Sequence, residues 1–205
     1  MNIRSAMLVS VFKTLYLSIR FHGPIIVLRG TRIRLERGAR IELAPGARLN
    51  LGQGHHVGRP LSLRMSPNGR LSIDGTVTIS CGTKIIIGEN AHLEMGNQTF
   101  IHYDSAITCW EHIAIGADVA VSWNSNIIDG NAHVLIVAGK PRPRTRPLTI
   151  GDHVWIGTGV IVVGASIGDG SVLGAGSVVT SNVPPKSLVT GNPAQVIRED
   201  VSWEV

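Results

Sequence analysis

Eight histidines are the first candidates for chemistry, because imidazole is the side chain whose unperturbed pKa lies closest to neutral pH. They are His22, His55, His56, His92, His102, His112, His133 and His153. His133 differs from the others in position: it follows Asp129-Gly-Asn-Ala and precedes residues 134–146, a segment with one lysine and three arginines. Asp129 could orient the imidazole of His133 through its second nitrogen, or it could simply form the turn before Gly130.

A short repeat surrounds this position. An apolar residue followed by glycine recurs at Ile150, Ile156, Ile167 and Leu173, and two of these steps are six residues long. A hexapeptide period is typical of a parallel β-helix, in which six residues form one side and three sides close a coil. The stretch 162–167 is one residue short of a full side, so we expect a tight corner near Gly164.

The same pattern predicts how the rest of the chain is organised. Residues 31–51 alternate between apolar residues and arginines, which predicts strands with the arginines outward. Residues 52–68 are less regular and are predicted to form a loop. Hexads return from residue 71 to 127, stop at 134–146 and resume at 147. We therefore expect one coil from about residue 30 to about residue 190 with one extruded loop.

An amphipathic helix is predicted before the coil, over residues 5–21. Apolar residues recur at three- and four-residue steps, Ser5 can cap the start and Gly23-Pro24 can stop the helix. The helix could cover the open end of the coil, or it could lie on a membrane surface. The apolar residues are Leu8, Val11, Phe12, Leu15 and Ile19.

Charge is unevenly distributed along the chain. Residues 1–70 carry twelve Lys or Arg and two Glu, whereas residues 71–205 carry seven Lys or Arg and twelve Asp or Glu. The basic part could be a solvated face, a membrane-binding surface or a site for a pyrophosphate-linked substrate. Nucleic acid is the poorest candidate partner, since no recognition-helix, zinc-finger or aromatic RNA-binding motif accompanies the arginines.

Composition limits the class of protein further. Aromatic residues make up only 4% and glycines number 24, which suits a slender coil filled by aliphatic side chains. No run of about 18 apolar residues predicts a membrane-spanning helix. Two cysteines do not make a disulfide framework, so we expect a reduced, cytoplasmic protein.

Three segments carry a family resemblance: IGDHVWIG at 150–157, IGDGSVLGAGSVVT at 167–180 and VPPKSLVTGNPAQVIR at 183–198. The chain resembles the left-handed β-helix, hexapeptide-repeat acyltransferases, and within them the sugar O-acetyltransferase branch. The resemblance implies an all-β fold, a left-handed parallel β-helix with a short N-terminal amphipathic helix and one extruded loop. The expected units are a helix and cap at 1–28, the acyltransferase coil at 29–198 with its loop at 134–147, and a tail at 199–205.

The resemblance also implies roles for individual residues. His133 stands where the family carries its general base, and Asp129 is its candidate partner. Acetyl-CoA is the implied co-substrate, and no metal is expected. The implied coenzyme A contacts are Trp155, Gly157, Ala175 and Thr180, with Lys186 and Arg198 for the phosphates because Ser181 stands where the family commonly has lysine. The substrate candidates are Trp123, Asn124 and Arg142. Trp123 and Trp155 could instead simply pack against neighbouring side chains.

The implied function is transfer of an acetyl group from acetyl-CoA to a sugar hydroxyl of a cell-surface polysaccharide or its lipid-linked precursor. The implied assembly is a homotrimer. The basic, amphipathic N-terminal third favours peripheral contact with the inner face of the membrane, and no nucleic acid is expected as a partner. Alternatives are an N-acetyltransferase acting on an amino nucleotide sugar, a metal-dependent hydratase and a non-catalytic scaffold. The hydratase is disfavoured because His92, His102 and His112 are ten residues apart, which does not stack on a coil of about 18 residues.

Overall fold

The chain forms a triangular coil whose three sides are parallel β-sheets of nine, seven and six strands. The computed structural model describes residues 9–54, 59–130 and 133–204. Each turn of the coil adds one strand to face 1, one to face 2 and one to face 3 before the chain rises to the next turn. This is the parallel β-helix that the hexads predict, in the left-handed form that the family resemblance implies.

The strands are assigned to the faces as follows. Face 1 consists of β1 (Ile25–Val27), β4 (Arg48–Gln53), β7 (Thr76–Ser80), β10 (Thr99–Ile101), β13 (Ala120–Val121), β18 (Trp155–Ile156), β21 (Val172–Leu173), β23 (Leu188–Gly191) and β24 (Ala194–Arg198). Face 2 consists of β2 (Arg32–Leu35), β5 (Ser62–Met65), β8 (Lys84–Ile87), β11 (Ala106–Cys109), β14 (Asn126–Ile128), β19 (Ile161–Val163) and β22 (Val178–Val179). Face 3 consists of β3 (Arg40–Leu43), β6 (Arg70–Ile73), β9 (His92–Met95), β12 (His112–Ile115), β17 (Leu148–Ile150) and β20 (Ser166–Ile167).

The three edges of the coil are named by the faces that they join. In the two turns around the candidate site, edge 1/2 comprises residues 122–125 and 157–160, and edge 2/3 comprises 129–147 and 164–165. Edge 3/1 comprises residues 116–119 and 151–154. Side chains at different edges of one coil point away from one another, so an edge is the natural unit for locating a site.

Strand alternation fills the interior. On β12, Ile113 and Ile115 are buried while His112 and Ala114 are partly exposed, and the other long strands repeat this pattern. At edge 1/2, buried hydroxyls satisfy the carbonyls of the next turn: the Oγ of Ser125 donates to the carbonyl of Gly157 at 2.9 Å. The core is therefore aliphatic between the edges and hydroxyl-lined at this edge.

Two local predictions can be compared with the structure. Gly164 adopts a φ of +48°, and only two residues separate β19 from β20, so the tight corner is confirmed. The loop predicted for 52–68 is wrong in part, because Ser62–Met65 is strand β5 and pairs with β2 and β8. Leu63 and Met65 are buried and Arg64 between them faces outward, the same alternation that predicted strands at 31–51, but it is only four residues long here.

The helix α1 (Val11–Arg20) begins later than predicted. The proposed cap Ser5 and the apolar Leu8 lie outside the described residues. The helix packs against β1 through Leu17, which is buried, and through two hydroxyls: the amide of Val27 donates to Thr14 Oγ1 at 3.0 Å and the amide of Ile25 donates to Ser18 Oγ at 3.1 Å. Strand β1 thus belongs to the coil rather than to a separate cap.

The predicted apolar stripe of α1 faces away from the coil. Val11, Phe12, Leu15 and Ile19 are all exposed, and Phe12 is 89% exposed. The helix therefore contacts the end of the coil with its mixed face and leaves its most apolar face without a partner among the described residues. In the described part of the chain, no helix is long and apolar enough to cross a bilayer.

The extruded loop contains regular structure that its sequence did not predict. Strands β15 (Ile136–Val137) and β16 (Lys140–Pro141) form an antiparallel hairpin, and the two residues between them, Ala138 and Gly139, have φ values of +49° and +74°. The last strand, β24, also runs antiparallel to β23, so the chain turns back along β23 at the end of face 1 instead of continuing the coil.

Candidate active site

The hairpin is held at its root on edge 2/3. The amide of Arg146 donates to the carbonyl of Asp129 at 2.6 Å, and Gly130 forms an antiparallel bridge with Thr145. A Cβ on Gly130 would lie 2.6 Å from the carbonyl oxygen of Arg144, so this close approach requires glycine. The entry and exit of the hairpin are therefore fixed against one another.

His133 lies at this root and is exposed. Asn131 and Ala132, which connect it to Gly130, lie outside the described residues. Arg142, predicted to bind substrate, is exposed on the same hairpin, as are Lys140 and Arg144. An accessible imidazole beside several cations can accept a proton close to a bound anionic group.

Asp129 is 1% exposed, and its carboxylate is occupied by backbone. Its Oδ1 accepts the amide of Trp110 at 2.7 Å, and its Oδ2 accepts the amides of Glu111 and His112 at 2.8 and 2.9 Å. These contacts give the carboxylate a structural role between two turns of the coil, rather than within the local turn before Gly130. They tie the hairpin root to the turn of coil beneath it.

Edge 1/2 gathers a second group of predicted residues. Gly157 and Ala175 stack at this edge, and a Cβ on Gly157 would lie 2.8 Å from the amide nitrogen of Ala175. Trp155, the first residue of β18 on face 1, is half exposed, and its Nε1 donates to Ser122 Oγ, which lies on edge 1/2 one turn below, at 3.1 Å. The structure thus brings Trp155, Gly157 and Ala175 together.

Trp123 and Asn124 belong to the same edge, one turn below. Trp123 is half exposed, and its ring centroid lies 5.1 Å from that of His102. Asn124 is exposed with a φ of +57°, a conformation that asparagine tolerates better than most residues. The two predicted sugar contacts therefore adjoin the predicted coenzyme contacts and lie on a different edge from Arg142.

The remaining predicted coenzyme contacts are dispersed. Thr180 follows β22 on edge 2/3, which it shares with His133. Lys186 lies on edge 3/1, where its amide donates to the carbonyl of Asp169 at 2.8 Å. Arg198 ends β24 and donates to the carbonyl of Ile197 at 2.8 Å. One copy of the chain therefore does not bring these three together with Trp155.

The sequence interpretation missed two histidine environments. Burial lowers the pKa of His102, whose Nδ1 has no hydrogen-bond partner within the described residues. On edge 3/1, a hydrogen bond with Asp118 at 2.6 Å raises the pKa of His153, and the ring of Trp203 stacks on it with centroids 4.5 Å apart. Outward positions on a coil carry no periodic signal, so sequence alone did not distinguish these residues.

The prediction that histidines of this part of the chain do not stack on successive turns was also wrong. His92 and His112 are direct register partners on β9 and β12, because this part of the coil has 20 residues per turn. Glu94 lies beside them, and the ligand atoms of the three side chains are all within 4.8 Å of one another. Among the described residues, this cluster is the group of three or more that could hold a metal ion.

Comparison with known proteins agrees with the repeat. Residues 147–181 match the model of the hexapeptide repeat of succinyl-transferase. Galactoside O-acetyltransferase of Escherichia coli strain K12 is 36% identical over 128 residues, covering 62% of this chain and 60% of that relative. This chain thus spans less than two thirds of that relative's length.

Solved structures share the fold over most of the chain. A polySia-specific acetyltransferase superposes with a TM-score of 0.63 at 20% identity, covering 86% of this chain and 89% of that one. An N-acyltransferase from Bacillus cereus, solved with dTDP and 3-hydroxybutyryl-CoA, superposes with a TM-score of 0.57 at 17% identity over 85% and 79%. These structures share the left-handed β-helix fold with this chain, and residues 147–181 carry the hexapeptide repeat that matches the succinyl-transferase model.

Proposed function

We propose that this protein transfers an acetyl group from acetyl-CoA to a hydroxyl of a sugar in a cell-surface polysaccharide or its lipid-linked precursor, with His133 as the general base. The observation that carries the proposal is an exposed imidazole at the root of a cationic hairpin on a hexapeptide-repeat coil. The galactoside O-acetyltransferase named above supports a sugar hydroxyl as the acceptor.

The reaction needs little from the protein. The imidazole of His133 takes the hydroxyl proton as the sugar oxygen attacks the thioester carbonyl carbon. The carbon–sulfur bond then breaks, and the proton passes to the departing sulfur, which leaves as the thiol of coenzyme A. Cations on the hairpin, with Arg142 among them, would hold phosphate groups of the coenzyme or of an activated substrate.

Turnover tests this assignment. Purified protein with acetyl-CoA and a panel of neutral, amino and lipid-linked sugars would release free thiol only with the right acceptor. His133→Asn should lower the rate by about 10²-fold or more. His22→Asn is the matched control, since His22 is exposed and has a φ of +53° that asparagine accepts. Equal rates in the wild type and His133→Asn would refute the role of His133, and thiol release only with amino sugars would make the protein an N-acetyltransferase.

The distribution of the predicted residues favours a site shared between copies of the chain. His133 and Thr180 lie on edge 2/3, whereas Gly157 and Ala175 lie at edge 1/2, where the indole nitrogen of Trp155 also bonds Ser122. Parallel coils side by side would bring one edge of each kind together. We therefore include a homotrimer in the proposal, with three sites between neighbouring copies.

Face 2, which lies between those two edges, has the surface for such packing. Its outward column of register partners includes Ile86, Ile128 and Val163, all only partly exposed, with Thr108 between the first two. The corresponding outward positions of face 3 are polar, such as Thr149 on β17. An apolar outer face beside a polar one is typical of a subunit interface.

Two experiments test the assembly. Val163→Glu should reduce the mass measured by light scattering from about three chains to one, whereas Thr149→Glu should leave it unchanged. In co-refolded mixtures of His133→Asn and Trp155→Ala, about a quarter of the shared sites would contain both intact residues and recover activity. A mixture as inactive as its two components would place the site within one chain.

The exposed stripe of α1 supports contact with an anionic membrane. Phe12 and Leu15 belong to an exposed apolar stripe, and the first turn of the coil, against which the helix packs, carries exposed arginines, such as Arg29, Arg32 and Arg34. Apolar side chains flanked by cations are the pattern of helices that lie in a lipid interface. A trimer would present three such helices at the same end, which strengthens weak contacts.

Vesicle sedimentation tests this contact. The wild type should sediment with vesicles of phosphatidylcholine and phosphatidylglycerol and not with phosphatidylcholine alone. The double variant Phe12→Ser and Leu15→Ser should stay in solution, while the matched double variant Leu135→Ser and Ile136→Ser, at exposed apolar positions of the hairpin, should sediment. Unchanged binding of the helix variant would overturn the proposal, and a changed mass would assign the stripe to assembly.

A further inference from the structure

We propose that His92, Glu94 and His112 on face 3 bind one divalent transition-metal ion, with Zn²⁺ as the best match. Two imidazoles and one carboxylate are a donor set that zinc accepts, with a fourth position left for water. The site lies outside the proposed acyl-transfer residues, and the inference does not depend on the proposed function.

The coil itself brings the three side chains together. His92 and Glu94 are two residues apart on β9, so both point outward from the same face. His112 is the register partner of His92 on the next turn, and their ring centroids are 5.7 Å apart. The three residues thus occupy three corners of a small rectangle on the surface of a rigid sheet.

The ligand atoms already lie near the spacing that a metal ion needs. Glu94 Oε1 is 3.5 Å from His92 Nδ1 and 2.6 Å from His112 Nε2. Zinc bonds of about 2.0–2.2 Å place neighbouring tetrahedral ligands about 3.3–3.5 Å apart. Side-chain movements of less than about 1 Å would therefore admit the ion, with the proton on His112 Nε2 moving to Nδ1 or to solvent.

Neighbouring side chains hold His92 in the orientation that binding requires. Ser72 Oγ lies 2.7 Å from His92 Nε2 and 3.4 Å from Glu42 Oε2. With the Nε2 proton donated to Ser72, and the serine hydroxyl donated to Glu42, the lone pair of Nδ1 faces Glu94. A hydrogen bond on the distal imidazole nitrogen is the usual support of a metal-binding histidine.

The charges around the cluster are compatible with a cation. Arg70 is the register partner of His92 on β6 and opposes a metal ion, while Glu42 on β3 offsets it.

A bound ion would tie two turns of the coil together beneath the hairpin. The amide of His112 donates to the buried carboxylate of Asp129, and Thr145 Oγ1 donates to the carboxylate of Glu111 next to it. Linking β9 to β12 through the metal would therefore reduce opening of the turn on which the hairpin root rests. This predicts a structural ion rather than one that contacts the acetyl group.

Metal titration tests the inference without any activity assay. Protein stripped with a chelator should take up one Co²⁺ per chain and show the visible bands of a tetrahedral site, which Zn²⁺ should then displace. Zn²⁺ should also raise the thermal midpoint in a concentration-dependent manner. His112→Asn should abolish stoichiometric uptake, and Ser72→Ala should weaken affinity about 10- to 100-fold.

His153→Asn is the matched control, because it removes another partly exposed histidine from a different edge. It should bind Co²⁺ like the wild type. Uptake that is unchanged in His112→Asn, or that stays substoichiometric in the wild type at micromolar metal, would overturn the inference. A wild-type protein that binds zinc and fails to transfer acetyl groups would refute the proposed function alone.

Discussion

Substitutions of Asp129 can distinguish a structural role of its carboxylate from a catalytic one. Its buried carboxylate accepts three backbone amides at 2.7 to 2.9 Å, two of them on Oδ2 and one on Oδ1. Hydrogen bonds to a charged group each contribute about 1.5–3 kcal/mol. In Asp129→Asn the amide oxygen can replace Oδ2, so one bond is lost and we expect a destabilisation of about 1.5–3 kcal/mol.

Asp129→Ala removes all three acceptors. Leaving a buried amide without an acceptor costs about 1–3 kcal/mol, and this variant leaves three such amides, so it should be the less stable of the two. The assay is urea unfolding combined with hydrogen exchange of the amides of Trp110, Glu111 and His112, which should lose protection first. Asp152→Asn is the control: its exposed carboxylate accepts one backbone amide, from Ala117 at 2.7 Å, which the amide oxygen of asparagine can also accept, so the change should be within about 0.5 kcal/mol.

Turnover of the same variants completes the test. If Asp129 only supports the turn, folded Asp129→Asn should keep acetyl transfer within about tenfold of the wild type, below the usual effect of a general base. Unchanged stability with a fall of about 10²-fold or more would refute the structural reasoning. It would assign the carboxylate to the orientation of His133.

Three further outcomes follow from other sites. The hydrogen bond with Asp118 raises the pKa of His153, so the stabilisation from this pair is full below about pH 6.5 and is lost as the pH rises through the raised pKa. An NMR titration should show a lower pKa for His153 in Asp118→Asn than in the wild type. An identical pKa in the two proteins would contradict this cause. Burial raises the pKa of Cys109 to about 12, so an aromatic disulfide reagent at pH 8 should label this thiol only in protein unfolded by urea. Rapid labelling of Cys109 in the folded protein would contradict this prediction. Gly157→Ala places a Cβ 2.7 Å from the carbonyl oxygen of Leu173 on the next turn of the coil, so it should lower the free energy of unfolding by about 1–3 kcal/mol. Thermal unfolding measures this, and an unchanged midpoint would show that the two turns move apart to admit the methyl group.

The sequence predicted those parts of the fold that repeat. Apolar residues at hexad positions, such as Ile107, Ile113 and Val119, are all buried, because a side chain that points into a closed coil must be apolar. The same logic placed the interruption at 134–146. It did not reveal the hairpin, since two-residue strands joined by Ala138-Gly139 have no period to detect.

Tertiary context decided the other features. The apolar stripe of α1 predicted the packing face, but the hydroxyls of Thr14 and Ser18 bond β1 instead, so the helix is rotated away from that expectation. Outward side chains depend on register between turns. The number of residues per turn varies along the coil, and for that reason the pairing of His92 with His112 was not visible in a fixed repeat.

The proposed site makes assembly a condition of the proposed acetyl transfer. His133 lies on edge 2/3 and Trp155 contacts Ser122 at edge 1/2, so the two residues flank face 2, whose outward column is apolar at Ile128 and Val163. If face 2 packs against a neighbouring copy, the coenzyme arm and the general base come from different chains, and face 3 keeps its metal-binding cluster in solvent. A monomer would expose Val163 and separate the two groups of residues, so loss of assembly and loss of acetyl transfer should occur together.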